Sequence, residues 1–419
     1  MNINLRIFTT EYTEFHGGGK NYSIKTPWYA NHRFDVYSVV IFFLFFLFNG
    51  TLRLSAQITF SGLLDSSVSA QSGAGDSPAF SCGVEEYANL RMQAKIRDNA
   101  AVYSAFNFIA AAGDYAANAA VGSSAFVAGE NYIAAIELER LFFRLSGEYA
   151  GFDGGLLRMP FGYGQVWRPS DFLNPPNPLK PDARPRAVLG AGLSWYPADS
   201  LKLLGLSVAP RDPFSQNGKG GLIGFSIDQH WDKASLQMLY AFESPKDASN
   251  QGIHRAGMSV KVDLELGLVL DTLYTYNSET HTEIDGLSFS AGADYSFFDG
   301  NLFVLAEYLY NGAASSTSRY GGGGFSNKNY LYSSFTWRFN DYTNASLALI
   351  SGFDDVSFTP IVSVNHDLFQ GVTLTVSAQV PLDRDLFSGD GNRGELGPVP
   401  PGWNEGRYFD LTAKIRLRF

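Results

Sequence analysis

The chain has 419 residues, of which 45% are hydrophobic, 17% are charged and 15% are aromatic. Its formal net charge of -10 at pH 7 argues against a nucleic-acid partner. Cys82 is the single cysteine, which excludes an internal disulfide framework and a zinc cage built from cysteines. No histidine lies in a recognisable catalytic pattern. We therefore expect no enzyme, no metal site and no cofactor.

The only long apolar run covers residues 39–48, after the basic residues His32 and Arg33. It is shorter than the roughly 20 apolar residues that a membrane-spanning helix needs. A basic flank, a short apolar core and a small residue at a cut after Ala56 are typical of a secretory signal. Leu54 is large for its place before that cut, so the cut position stays open. Residues 1–56 are predicted to be a signal peptide or N-terminal targeting extension, and a lone membrane anchor is the alternative.

From residue 57 to residue 419, apolar and polar residues alternate over segments of about ten. Clear examples are 90–97, 287–297, 331–339 and 372–380. Similar segments lie near 100–110, 187–196, 219–231, 234–243, 253–264, 267–277 and 342–351. Because successive side chains of a strand point to opposite faces, each segment has one apolar and one polar face.

Two features favour a membrane barrel over a soluble β-sandwich, which shows the same alternation. The segments are as long as a strand tilted across a bilayer, whereas globular strands average about five or six residues. Aromatic residues also cluster at segment ends, as the girdles of a membrane barrel require. Residues 57–419 are predicted to form an all-β, antiparallel, up-and-down transmembrane barrel of about 16–18 strands.

Tight turns at 298–301 and 340–341 alternate with connections that look long and are rich in Gly, Ser, Pro or Asp. The predicted long connections are 65–83, 163–187, 312–327 and 382–405. Short turns at one end and long loops at the other are typical of barrels in the bacterial outer membrane.

The last strand, residues 408–419, has one unbroken apolar face and ends in Phe419. This segment resembles the final strand of Gram-negative-type outer-membrane barrels, which ends in an aromatic residue. That resemblance implies recognition by the barrel-assembly machinery through Tyr408, Leu411, Ile415, Leu417 and Phe419. In a closed barrel we expect this strand to pair with an early strand near residues 57–64.

A second resemblance covers residues 154–210, with GGLLRMPFGYGQVWRPSDFLNPPNP followed by GAGLSWYPADSLKLLGLSVAP. It is similar to outer-membrane porin and exporter families related to the alginate-export barrel. Those families have an inward Arg, then a Gly turn, a Trp and a loop rich in Asn and Pro. The resemblance implies a large outer-membrane barrel and says little about its substrate.

If apolar faces meet lipid, then polar faces line a lumen. The cations predicted to face inward are Arg91, Lys95, Arg97, Arg158, Arg255, Lys261, Arg338, Lys414, Arg416 and Arg418. Rings of Arg and Lys favour anions. Pairing of these cations with lumen carboxylates such as Asp263, Asp294 and Glu307 is an equally good interpretation.

The best constriction candidate is residues 165–186, where six prolines stiffen the chain and remove backbone donors. Arg168, Lys180, Arg184 and Arg186 are its candidate channel-facing cations. An ordinary surface loop is the alternative.

The sequence therefore predicts an outer-membrane, porin-like channel for passive diffusion of small hydrophilic solutes, with an anion bias. The expected partners are outer-membrane lipid, the assembly machinery and these solutes, and an oligomer is compatible with the architecture. Two alternatives stay open. One is a dedicated exporter or importer of a specific substrate, and the other is a structural or adhesive surface barrel with a plugged lumen.

Overall fold

A computed structural model describes residues 57–73, 80–113, 125–129, 131–178, 187–210, 220–245, 252–277, 286–312, 325, 327–354, 356–380, 382 and 407–419. The predicted targeting segment, residues 1–56, lies outside the described residues. No helix that is long and apolar enough to cross a membrane occurs in the part of the chain that the structure describes.

The described residues form nineteen β-strands. In chain order they are β1 Gln57–Gly73, β2 Phe80–Arg97, β3 Ala100–Gly113, β4 Ala125–Ala128, β5 Tyr132–Ser146, β6 Ala150–Leu157, β7 Val188–Ala198, β8 Leu201–Val208, β9 Leu222–His230, β10 Ala234–Glu243, β11 Ile253–Asp263, β12 Gly267–Asn277, β13 Leu287–Phe297, β14 Leu302–Asn311, β15 Asn329–Asn340, β16 Thr343–Gly352, β17 Ser357–Phe369, β18 Val372–Gln379 and β19 Arg407–Arg418.

Eighteen of these strands close into one antiparallel ring in which each strand pairs with its neighbours in sequence. The short strand β4 pairs with the start of β5 but is not a member of the ring, because β3 pairs directly with β5. The ring confirms the predicted all-β, up-and-down barrel and its even strand number.

The ring is closed by pairing β1 with β19, from Leu63–Arg418 through Gly73–Arg407. The predicted partner strand is therefore right, and the pairing extends further along it than predicted: it covers residues 63–73 and overlaps the predicted range 57–64 at Leu63 and Leu64. On the inward side, the Arg416 guanidinium donates two hydrogen bonds to the Asp65 carboxylate, at 2.7 and 2.6 Å. This side-chain ion pair thus links β1 and β19, the two strands that close the ring.

Alternation along each strand separates a polar inner face from an apolar outer face. In β11, for example, Arg255 and Ser259 are buried inside the ring, whereas the intervening Met258 is exposed. Large apolar side chains on the other parity are exposed around the wall, such as Leu189, Ile223 and Phe335. An apolar outer surface of this kind is stable only against lipid.

The connections alternate in length as predicted, with short turns at one end of the ring and longer connections at the other. At the short-turn end, exposed aromatic side chains surround the wall; they are Trp195, Trp231, Phe298, Phe339, Tyr342 and Phe369. Such a girdle is expected at a membrane interface.

One predicted long connection, residues 65–83, is wrong. Strand β1 continues to Gly73 and β2 begins at Phe80, so most of this segment is strand. Its residues still alternate between the two faces, with Val68 outward and Ser69 buried inward. Because serine and glycine are poor markers of a strand, the sequence pattern did not indicate one here.

Candidate functional site

Residues 158–178, which follow β6, form an inward loop that runs into the interior of the ring. The evidence is its set of hydrogen bonds to inward-facing side chains of β10, β11, β12, β13 and β14. In the ring these strands lie four to eight positions from β6, where the loop starts. The loop therefore runs inside the ring, along the wall from β6 to β14.

The strongest anchor is the Glu307 carboxylate of β14, which accepts three backbone hydrogen bonds from the loop. The N–H groups of Gln165 and Val166 each donate at 3.1 Å, and that of Trp167 donates at 2.7 Å. Glu307 is 1% exposed. A buried charge is tolerated only where it is paired or well hydrogen-bonded, and here backbone N–H groups take that role.

Strands β12 and β13 supply further anchors of the same kind. Asp271 accepts hydrogen bonds from the backbone N–H and the hydroxyl of Ser170, both at 2.8 Å. Asp294 accepts one from the Gln165 side-chain amide at 2.6 Å. Carboxylates of the wall thus hold the loop, mostly by its backbone.

Gly162 attaches the start of the loop to β10, because its N–H donates to the Gln237 side chain at 2.6 Å. Gly162 has a φ of +80°, and a Cβ at this position would lie 2.1 Å from an Asp271 carboxylate oxygen. Only glycine allows this close approach and this backbone conformation. Tyr163 follows, with its N–H donating to the Ser259 hydroxyl of β11 at 2.9 Å.

Apolar packing completes the attachment of the loop. Trp167 is fully buried and packs edge-on against Phe325, with ring centroids 5.1 Å apart, and against Tyr330 at 5.7 Å. Nearer β6, Met159 and Phe161 join the inward apolar residues of β7–β10. The loop therefore has a fixed course along its length, as a selectivity filter needs.

One part of the wall that the loop leaves open, from β2 to β6, has a cluster of charged side chains that we call the basic cluster: Arg91, Glu139, Arg140 and, directly after β6, Arg158. Glu139 is 8% exposed, and its carboxylate pairs with Arg158 at 2.6 Å and with Arg140 at 3.1 Å. Arg91 is linked through Asn89, which donates to Glu139. Three guanidinium groups share one buried carboxylate, so the cluster has a net positive charge.

Arg140 was missed by the sequence reasoning because a β-bulge brings it inward. The pairing of β3 with β5 shifts register between Ala105 and Phe106, and this shift leaves Glu139 as the extra residue. Two consecutive residues, Glu139 and Arg140, consequently both face the lumen. The sequence contains a signal for the bulge, since the outward apolar parity changes from Ile136 and Leu138 to Leu141 and Phe143.

The structure places the other predicted site residues as follows. Arg168 lies in the inward loop, where its guanidinium donates to the Gly164 carbonyl at 2.7 Å. Lys95 and Arg338 lie on the inward parity near the short-turn end and away from the loop. Arg97 lies beyond a β-bulge of β2 and pairs with Ala100 on the outward face of β3, so the prediction that it faces inward is wrong. The candidates Lys180, Arg184 and Arg186 lie outside the described residues. Leu411, Ile415, Leu417 and Phe419 form the exposed outer face of β19, which also contains the backbone of Tyr408.

Pairing of lumen cations with carboxylates occurs, but mostly with other partners than those expected. Arg255 pairs with Glu243 at 2.8 Å, whereas Lys261 pairs with a predicted partner, Asp263, at 3.0 Å. Asp294 and Glu307 bind the inward loop instead. These two carboxylates therefore hold the inward loop and form no ion pair with a lumen cation within the part of the chain that the structure describes.

Burial raises the pKa of Asp171, which lies in the inward loop and not in a spanning strand, to about 7. Arg168 and the backbone N–H groups of Asn174 and Phe161 favour the charged form and offset only part of the lost hydration. A carboxyl group whose pKa is raised by folding stabilises the folded loop at low pH, and this contribution is lost as pH rises through the folded pKa. We expect the fluctuations of the single-channel current to be larger at pH 8.5 than at pH 5. In the variant Asp171→Asn, we expect this difference to be smaller. An equal increase in both proteins would contradict this assignment.

Comparisons with known proteins support the architecture. The structure of OccAB4 from Acinetobacter baumannii aligns with a TM-score of 0.54 and 12% identity, over 88% of this chain and 99% of that one. The outer membrane protein opdK from Pseudomonas aeruginosa aligns with a TM-score of 0.53 and 8% identity, over 86% and 98%. OpdQ from Pseudomonas aeruginosa aligns with a TM-score of 0.52 and 10% identity, over 86% and 97%.

No protein-family model matches the chain, and no curated protein sequence matches it either. At these identities the structural likeness shows the fold. That fold is an outer-membrane β-barrel.

Proposed function

We propose that this chain is a channel of the bacterial outer membrane through which small hydrophilic solutes diffuse passively, with a preference for anions. The observation that carries the proposal is the position of the basic cluster. The basic cluster lies at β2–β6, whereas the inward loop binds the wall at β10–β14. Solutes that pass between loop and open wall pass the guanidinium groups, which favour anions.

Reversal potentials in a KCl gradient test the proposal. We expect steps of single-channel current and a preference for chloride over potassium. In the triple variant Arg91→Gln, Arg140→Gln and Arg158→Gln, the charge of Glu139 is no longer balanced, so the preference is expected to change to potassium. The matched variant with Lys at all three positions keeps the charge and should keep the chloride preference.

Two results would contradict the proposal. A folded barrel that gives no current steps would indicate a plugged lumen and a structural role. An unchanged chloride preference in the Gln variant would show that the basic cluster does not face the conducting path.

Export and assembly complete the proposed function. We propose that residues 1–56 direct the chain out of the cytoplasm, and that the assembly machinery recognises the outer face of β19. The support is the outward apolar series Phe409, Leu411, Ile415, Leu417 and Phe419, which is exposed on the wall.

A further inference from the structure

Hydroxyl side chains form a continuous row on the inner wall, which we call the hydroxyl row: Thr336, Ser346, Ser363, Ser377, Thr412 and Ser69. Each member is the direct cross-strand partner of the next, from β15 through β16, β17, β18 and β19 to β1. Six adjacent strands thus present a hydroxyl at the same register. This juxtaposition arises from strand pairing and is invisible in the linear sequence.

The hydroxyl row extends across a substantial part of the lumen. Adjacent strands lie about 4.8 Å apart, so the row is roughly 24 Å long. Because strands of such barrels are tilted by about 35–45°, a row perpendicular to them descends along the wall as well as around it. A solute moving through the lumen can therefore follow the row.

The adjacent row is also polar, and its middle members Asn344, Asn365 and Thr375 are uncharged, whereas Arg338 and Lys414 lie at its ends. In the adjacent row, the Asn365 amide donates to the Asn344 side-chain oxygen at 3.1 Å, and the Thr375 hydroxyl donates to Asn365 at 2.7 Å. Within the hydroxyl row, Ser346 and Ser363 lie 2.7 Å apart, and Ser69 and Thr412 lie 2.8 Å apart. Each hydroxyl has one donor and two acceptor positions, so such pairs keep capacity for a solute.

We propose that the permeant solutes are small polyhydroxylated acids, a substrate class that deepens the proposed anion preference and rests on it. The basic cluster attracts the carboxylate, and the hydroxyl row replaces the water around the hydroxyl groups. The row ends at Ser69 of β1, which pairs with Gly83 of β2, and Arg91 of the basic cluster lies eight residues further along the same strand. An alkyl acid of equal charge gains nothing from the row, because it has no hydroxyl groups to pair with it.

Bi-ionic reversal potentials with sodium gluconate and sodium hexanoate test this inference, since both anions have six carbons and one negative charge. We expect the purified full chain to favour gluconate. In the triple variant Ser346→Ala, Ser363→Ala and Ser377→Ala, the ratio of gluconate to hexanoate permeability should fall about three- to tenfold. The control Ser333→Ala removes a hydroxyl on the outward parity of β15 and should leave the ratio unchanged.

The possible outcomes separate the two proposals. If the triple variant folds, as shown by its heat-dependent gel mobility, and keeps the ratio, the hydroxyl row has no role in selectivity and the inference is overturned. The chloride preference measured in KCl would then still support the proposed function. If the unmodified chain shows no anion preference in KCl, the proposed function fails first and this inference fails with it.

Discussion

Glu307→Ala is expected to raise the single-channel conductance severalfold and to make the current noisier. The substitution leaves the backbone N–H groups of Gln165, Val166 and Trp167 without their acceptor. Hydrogen bonds to a charged group contribute about 1.5–3 kcal/mol each. Loss of all three therefore favours release of the inward loop from the wall, which widens the path for ions. Single-channel recording in planar bilayers measures both effects.

A second carboxylate serves as the control for this experiment. Asp367 lies on the inward parity of β17 and accepts a hydrogen bond from the Thr373 hydroxyl, far from the inward loop. Asp367→Ala removes one negative charge from the lumen, as Glu307→Ala does, and should leave conductance near its original value. An equal rise in the two variants would mean that charge, and not loop anchoring, controls the conductance.

Arg416→Ala is expected to lower the stability of the barrel by about 3–5 kcal/mol, because it leaves a buried carboxylate unpaired. Asp65 is 8% exposed and receives both hydrogen bonds of the Arg416 guanidinium. The pair joins β1 to β19, where the ring closes. The measurement is the temperature at which the folded barrel loses its fast mobility on a detergent gel, and we expect a clear decrease.

Two further variants define the origin of that decrease. Arg418→Ala removes a guanidinium from the same face of β19 at the exposed end of the strand and should have little effect. The double variant Asp65→Ala with Arg416→Ala removes both charges and should recover part of the stability, since no unpaired carboxylate remains. If Arg418→Ala destabilises the barrel as much as Arg416→Ala does, the Asp65–Arg416 ion pair is not what stabilises the pairing of β1 with β19.

The strands and the barrel class were predictable because they follow from a local pattern. Alternation over about ten residues is a property of neighbouring residues, as in 287–297 and 372–380, and both segments are strands in the structure. Strands β1 and β2 were underestimated because serine, alanine and glycine show weak contrast between the two faces. The length of these two strands is evident from their pairing with each other in the structure and not from the residue pattern of either strand.

The candidate site was predictable only in part. The proline-rich candidate segment, residues 165–186, is irregular where the structure describes it, and its course inside the ring depends on residues far along the chain. Glu307 is 141 residues from Val166, and no spacing rule connects them. The contribution of Arg140 depends on a bulge, which reverses the parity on which lumen residues are counted. The hydroxyl row depends on the register of five strand pairs, which sequence alternation leaves undetermined.

The way the inward loop is held has a consequence for how such a channel can diverge. Glu307 accepts hydrogen bonds from three main-chain N–H groups, and Asp271 accepts from the main-chain N–H and the hydroxyl of Ser170. Main-chain donors are common to every amino acid except proline. Mutations that alter the pore-facing side chains of the loop would leave these attachments in place. One scaffold could therefore acquire new permeants by exchanging a few side chains, without redesign of the wall that supports them.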